Sequence, residues 1–186
     1  SVPRFQRHIG IDYSGAASPT DSLKGLRVFM ATQASPAVEI QPPPGPRKFW
    51  TRQEVAQWLV HRFQEDIPTI AGIDHAFSFP LQYFKAHQLS LEWPAFLDDF
   101  HRHWPTDDPH VYVDFLRHNN QRSGNSRWRR LVEVWCKAKS VFHFDVTGSV
   151  AKSTHSGLPW LRYIRTHATG RVHFWPFDGW QVPEGK

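Results

Sequence analysis

Two stretches of this chain end alike. Residues 7–13, "RHIGIDY", and 69–74, "TIAGID", each carry an apolar run to Gly-Ile-Asp, and small or polar residues follow. Short apolar runs closed by turn-forming residues read as strands. The second run, within "PTIAGIDHAF", is continuously apolar, as in a strand buried on both faces. Two such strands joined across a helix are expected to lie side by side and parallel. Both aspartates then reach the edge of the sheet where ligands gather in α/β folds.

The text between them supports that reading. Residues 25–33, "GLRVFMATQ", read as a second strand, and 37–40, "AVEI", as a third antiparallel to it. "QPPPGPRK" forbids regular structure and makes a stiff surface connection. "FWTRQEVAQWLVHRFQED" is a helix: Thr51 and Glu54 have capping-box spacing, and Val55, Trp58, Leu59 and Phe63 share one face. From 81 to 139 the chain reads as short helices broken by proline and aspartate, a helical insertion. Beyond it, 140–149 is expected to form a strand and turn, 157–168 a helix with Pro159 in its first turn, and 170–180 a final strand. The expected architecture is a single α/β domain, 1–186, with a mixed sheet flanked by helices.

Two carboxylates brought to one sheet edge repel each other unless a proton, a basic group or a cation stands between them. Asp12 and Asp74 taken singly could each cap the loop after a strand. As a matched pair they point to a Mg²⁺ or Mn²⁺ site, because these ions take oxygen ligands and keep positions open for phosphate oxygens and water.

A first strand ending in "GIDYSGA", a hairpin, a helix and then "AGIDHAFSFP" resemble the ribonuclease H-like superfamily. More narrowly, they resemble its branch of uncharacterised predicted RNase H/RuvC-like nucleases, as does "KSVFHFDVTGSVAKSTHSGLPWLRYIR". The likeness covers 7–80 and 139–180 and leaves the insertion unmatched. It implies a metal-dependent nuclease with Asp12 and Asp74 as catalytic metal ligands. It also implies one or two further acids on a helix after the last strand, but the sequence ends at Lys186, directly after "WPFDGWQVPEGK". That helix is therefore expected to be missing, or Asp145 or Asp178 to substitute. With the acidic set incomplete, a non-catalytic nucleic-acid or protein binding module on the same fold is an alternative. A kinase-like or actin-like nucleotide site is a third, since "GIDYSGAAS" could pass as a phosphate-binding turn, although that group needs two such domains.

Twenty-two Lys and Arg against 17 Asp and Glu give a net charge of +5, which permits a nucleic-acid or nucleotide partner without requiring one. The basic residues gather in "RHNNQRSGNSRWRR". Arg122, Arg127, Arg129 and Arg130 there, with Lys152 in the turn "AKSTHSG", are the expected nucleic-acid contacts. His155 in that turn could stand near a leaving group, and His75, directly after Asp74, either borders the same cleft or is buried in the sheet. Nine tryptophans imply an aromatic core, a few of them available as stacking platforms. The single cysteine, Cys136, excludes an internal disulfide and is expected to be a buried, inert thiol. The absence of an apolar leader core and of any run of membrane-spanning length implies a cytoplasmic protein with no membrane partner. Walker A loops, dinucleotide-binding glycines, zinc-ligand spacings and serine elbows are not found.

Overall fold

The structure, a computed structural model, describes residues 4–184. The fold is α/β. Its strands are β1 (Arg7–Asp12), β2 (Arg27–Thr32), β3 (Ser35–Ile40) and β4 (Thr69–Ile73), in one mixed sheet of order β3-β2-β1-β4. The helices are α1 (Arg52–Phe63), α2 (Leu81–Ala86), α3 (Trp93–His103), α4 (Val113–Leu116), α5 (Leu131–Trp135) and α6 (Ala151–His167). The chain divides into two compact units. One comprises the chain up to Tyr13, Asp21–Asp74 and the residues from Tyr163 on; the other comprises Ser14–Thr20 and His75–Arg162.

In the first unit β1 is central, antiparallel to β2 and parallel to β4. Its side chains alternate strictly. Arg7, Ile9 and Ile11 are buried, whereas His8, Gly10 and Asp12 are exposed. Helix α1 serves the buried face. Thr51 caps it, its hydroxyl accepting from the Glu54 amide at 3.1 Å, and Val55, Ala56, Leu59 and Val60 are buried. Arg7 ties the layers together: its guanidinium donates to the Arg62 carbonyl at the end of α1 (2.7 Å) and to Thr69 Oγ1 on β4 (3.0 Å), and it pairs with Glu65.

The opposite face is open, so β4 is not buried on both sides as its apolar run implies: Ile70 is 45% exposed and Gly72 is exposed. The expected final strand at 170–180 does not form among the described residues, leaving β4 at the sheet edge. The Asp178 carboxylate accepts from the Phe174 amide and the Arg165 guanidinium, and the Asp178 and Gly179 amides bond back to Phe174 and Pro176. The segment closes on itself as turns instead of offering a ladder.

The second unit is built on rings. Helix α3 buries Trp93, Phe96, Leu97 and Phe100 along one stripe. Phe79 packs on Tyr83, Phe96, Phe100 and Phe142 with centroids 4.7–5.5 Å apart, the edge-to-face and tilted arrangements that ring quadrupoles favour. The expected strand at 140–149 is a series of turns, begun where Ser140 Oγ accepts from the Phe142 amide. Helix α5 is short and inverted: Glu133 is buried and bonded to Arg130, while Leu131, Val132, Val134 and Trp135 are exposed. Cys136, at its C-cap, is exposed rather than buried.

Helix α6 starts six residues before the expected 157, with Ser149 Oγ accepting from the Ala151 amide. "AKSTHSG" is thus helix, not a flexible turn, and Thr154, His155 and Ser156 are buried in it. Pro159 consequently stands inside the helix. A proline there cannot donate to the carbonyl four residues back, and the Thr106 hydroxyl donates to that His155 carbonyl instead, at 2.7 Å. Thr106 is fully buried. Replacing it with valine keeps the shape and strands the His155 carbonyl. Urea denaturation of Thr106→Val is expected to show a loss of about 1–3 kcal/mol, and Thr106→Ser to retain most of the stability.

Candidate functional site

Asp12 is the last residue of β1, and Asp74 directly follows β4. Parallel pairing, with Gly10 opposite Gly72 and Ile11 opposite Ile73, brings both strands out at the same edge in step. The Asp74 amide donates to the Ile11 carbonyl (3.3 Å), and the Tyr13 amide donates to Asp74 Oδ1 (2.7 Å). These bonds extend the pairing beyond the last ladder residue and hold the Asp74 carboxyl beside Asp12, within side-chain hydrogen-bonding reach. The Asp12 carboxyl is pushed above its usual range, first by partial desolvation, then by the charge and hydrogen bond of Asp74; Arg27 acts in the other direction.

Arg27 is the residue that the sequence does not announce. It opens β2 directly across from Asp12. Its guanidinium is held by Glu39 on β3, at 2.9 and 2.7 Å, so a row Glu39, Arg27, Asp12, Asp74 crosses the open face with alternating charge until it ends on two acids. The signal for it was the strand register, which composition does not carry. Beside the row, Gly10 and Gly72 form a bare floor: a Cβ added at either meets nothing within 4 Å.

The donor set suits a hard divalent cation. It offers two carboxylates, with one oxygen of Asp74 oriented by a backbone amide, and Mg²⁺ is commonly bound through one or two carboxylates with water and phosphate completing the shell. Among the described residues no cluster of three or more His, Cys, Asp or Glu side chains is placed to hold a metal. Asp178 is engaged by Arg165 and the Phe174 amide, and Asp145 pairs with Arg117 at 2.6 Å.

The expected nucleic-acid contacts fall in the second unit and are largely committed within it. Arg122 holds the buried Asp99 through two bonds, at 2.8 and 3.1 Å. Arg130 bonds Glu133, and Lys152, on α6, pairs with Asp114 at 2.9 Å. Arg127 and Arg129 are exposed, and neither guanidinium joins an ion pair among the described residues. His75 and His155 are buried. Burial lowers each to about 4, against a hydrogen bond to a backbone carbonyl that acts the other way. His155 packs among Phe79, Trp104 and Phe144, the environment of a core ring and not of an acid-base group.

The chain matches no family model, and no curated protein or solved structure is significantly similar to it. No helix among the described residues is long and apolar enough to cross a membrane.

Two expectations of opposite sign follow for stability against pH. Histidines buried neutral, with folded values below the unfolded 6.5, keep their full contribution above that pH and lose it as pH falls toward 4. Urea titrations between pH 7 and 4 are expected to show uptake of about two protons on unfolding, and His75→Asn or His155→Asn to remove about one each. Asp12, raised on folding, instead favours the folded state at low pH and opposes it above. In metal-free buffer Asp12→Asn is expected to raise the melting temperature at pH 7, by no more than about 1 kcal/mol in stability because the pair is exposed and screened. The gain should vanish near pH 3.

Proposed function

We propose that this chain is a divalent-metal-dependent phosphodiesterase of the ribonuclease H-like class acting on nucleic acid. The observation that carries the reading is the convergence of Asp12 and Asp74 at the carboxyl ends of two adjacent parallel strands. The strand order, with an antiparallel β1-β2-β3 meander and β4 parallel to β1 after a helix, agrees with that class.

Asp12 and Asp74 would hold Mg²⁺ or Mn²⁺, which when bound polarises a phosphoryl oxygen and lowers the pKa of a bound water. The chain's own contributions are positional. The Tyr13 amide fixes Asp74, Arg27 supplies positive charge beside Asp12, and the glycine floor lets a bulky phosphodiester approach the sheet. One observation favours a second reading, a non-catalytic nucleic-acid binding module: the acids expected to complete the site, Asp145 and Asp178, are bound to arginines.

Calorimetry with Mn²⁺ and cleavage of labelled DNA and RNA test both. The first reading expects Mn²⁺ binding and cleavage by the wild type, with Asp12→Asn/Asp74→Asn losing the binding and on the order of 10²–10³-fold or more of the activity. Equal Mn²⁺ binding by both proteins would remove the site. Binding of nucleic acid with no cleavage would favour the module.

A further inference from the structure

A cleft of about 380 Å³ opens in the first unit and is lined by Lys24, Arg27, Glu39, Lys48, Phe49 and Trp50, among others. Its volume lies within the range of small-ligand clefts, roughly 300–1,000 Å³. The walls are fixed by local bonds. Ser22 Oγ accepts from the Phe49 amide (3.0 Å) and donates to the Phe49 carbonyl (2.9 Å), the Leu23 amide donates to the Trp50 carbonyl, and the Trp50 indole donates to the Ile40 carbonyl. Pro42, from the proline-rich connection, contributes a stiff side.

The charge in this cleft is positive. Glu39 is occupied by Arg27, whereas Lys24 and Lys48 are exposed and join no ion pair among the described residues. Lys48 Nζ lies 5.5 Å from the Phe49 ring centroid, so a cation and an aromatic face stand together. Arg27 belongs both to this cleft and to the row that runs through Asp12 to Asp74, and the row borders the bare floor of Gly10 and Gly72. Cations for a backbone, a ring for a base and an exposed floor of two glycines beside them are the elements of single-strand recognition.

We propose that this cleft and the glycine floor beside it form a binding track for single-stranded nucleic acid, with Lys24 and Lys48 on successive phosphates and Phe49 offered to a base. The track names the substrate class of the Asp12/Asp74 site and rests on that reading only for what happens to the strand, not for its binding. A duplex fits it poorly, because its bases are stacked inside and cannot reach a ring in a cleft wall.

Fluorescence anisotropy with a labelled oligothymidylate in EDTA tests the track apart from catalysis. Asp12→Asn/Asp74→Asn is expected to bind at least as tightly as wild type, because it removes two negative charges beside the strand, and weaker binding by this variant would count against the track. Lys24→Glu/Lys48→Glu should bind at least about ten-fold more weakly, with a salt slope shallower by about 1.4. Arg127→Ala/Arg129→Ala should bind as wild type, and a duplex of equal length should compete at least about ten-fold less well. No binding by wild type, unchanged binding by the lysine variant, loss centred on Arg127 and Arg129, or equal competition by duplex would each overturn the proposal. Unchanged circular dichroism and melting of the lysine variant check that its fold is intact. Binding through the lysines without Mn²⁺-dependent cleavage keeps the track and removes the hydrolase reading. Cleavage with unaltered binding by the lysine variant does the reverse.

Discussion

The alternation of β1 is the constraint on which the first unit depends. One parity carries Arg7, Ile9 and Ile11, and buries them. The other carries His8, Gly10 and Asp12 and leaves them in water. A one-residue slip would send Asp12 into the core and Ile11 out of it, a change that costs far more than a strand can recover elsewhere. Arg7 helps to prevent that slip. Its buried guanidinium finds Thr69, Glu65 and the Arg62 carbonyl only in this register, so a charge that would be costly if unpaired fixes β1, α1 and β4 in one arrangement.

That same register places two like charges side by side. Nothing in the hydrophobic pattern asks for Asp12 and Asp74 to meet, and their meeting adds to the partial desolvation that raises the Asp12 carboxyl. Arg27 offsets this only in part, because Glu39 already engages its guanidinium bidentately. A fold that places a partly compensated diacid at the ends of central β1 and its parallel edge neighbour β4 loses some stability there, and such local conflicts concentrate at functional sites. The cost is small because the pair faces water.

The sequence was most informative where period and turn chemistry agreed. β1 and β2 lie within two residues of their expected bounds, α1 begins directly after its expected Thr51 cap but ends three residues before the expected Asp66, and the parallel pairing of β1 with β4 follows from the helix between them. It was least informative where side chains capture the backbone. Ser140 turns a β-like run into bends, Asp178 folds 174–179 on itself, and Ser149 starts α6 early. Pro159 misled for the same reason. Its usual place is a first turn, but a buried Thr106 hydroxyl, distant in sequence, satisfies the carbonyl it leaves free. Of the site, Asp12 and Asp74 could be read from their repeated context. Arg27 could not, since its role exists only once β2 is laid antiparallel to β1.

The distribution of positive charge follows from the same distinction between local and tertiary information. The densest basic segment, 117–130, looks like a polyanion surface in one dimension. In the folded chain Arg117, Arg122 and Arg130 are tied to Asp145, Asp99 and Glu133, acids separated from them by between three and 28 positions. A guanidinium held by a carboxylate is rigid, and much of its field is cancelled locally, so it stabilises structure more than it attracts a ligand. Lys24 and Lys48 form no such cluster in the sequence. One follows a loop of small residues, and the other ends a run of prolines. Neither joins an ion pair among the described residues, so their charge stays available at the cleft they line.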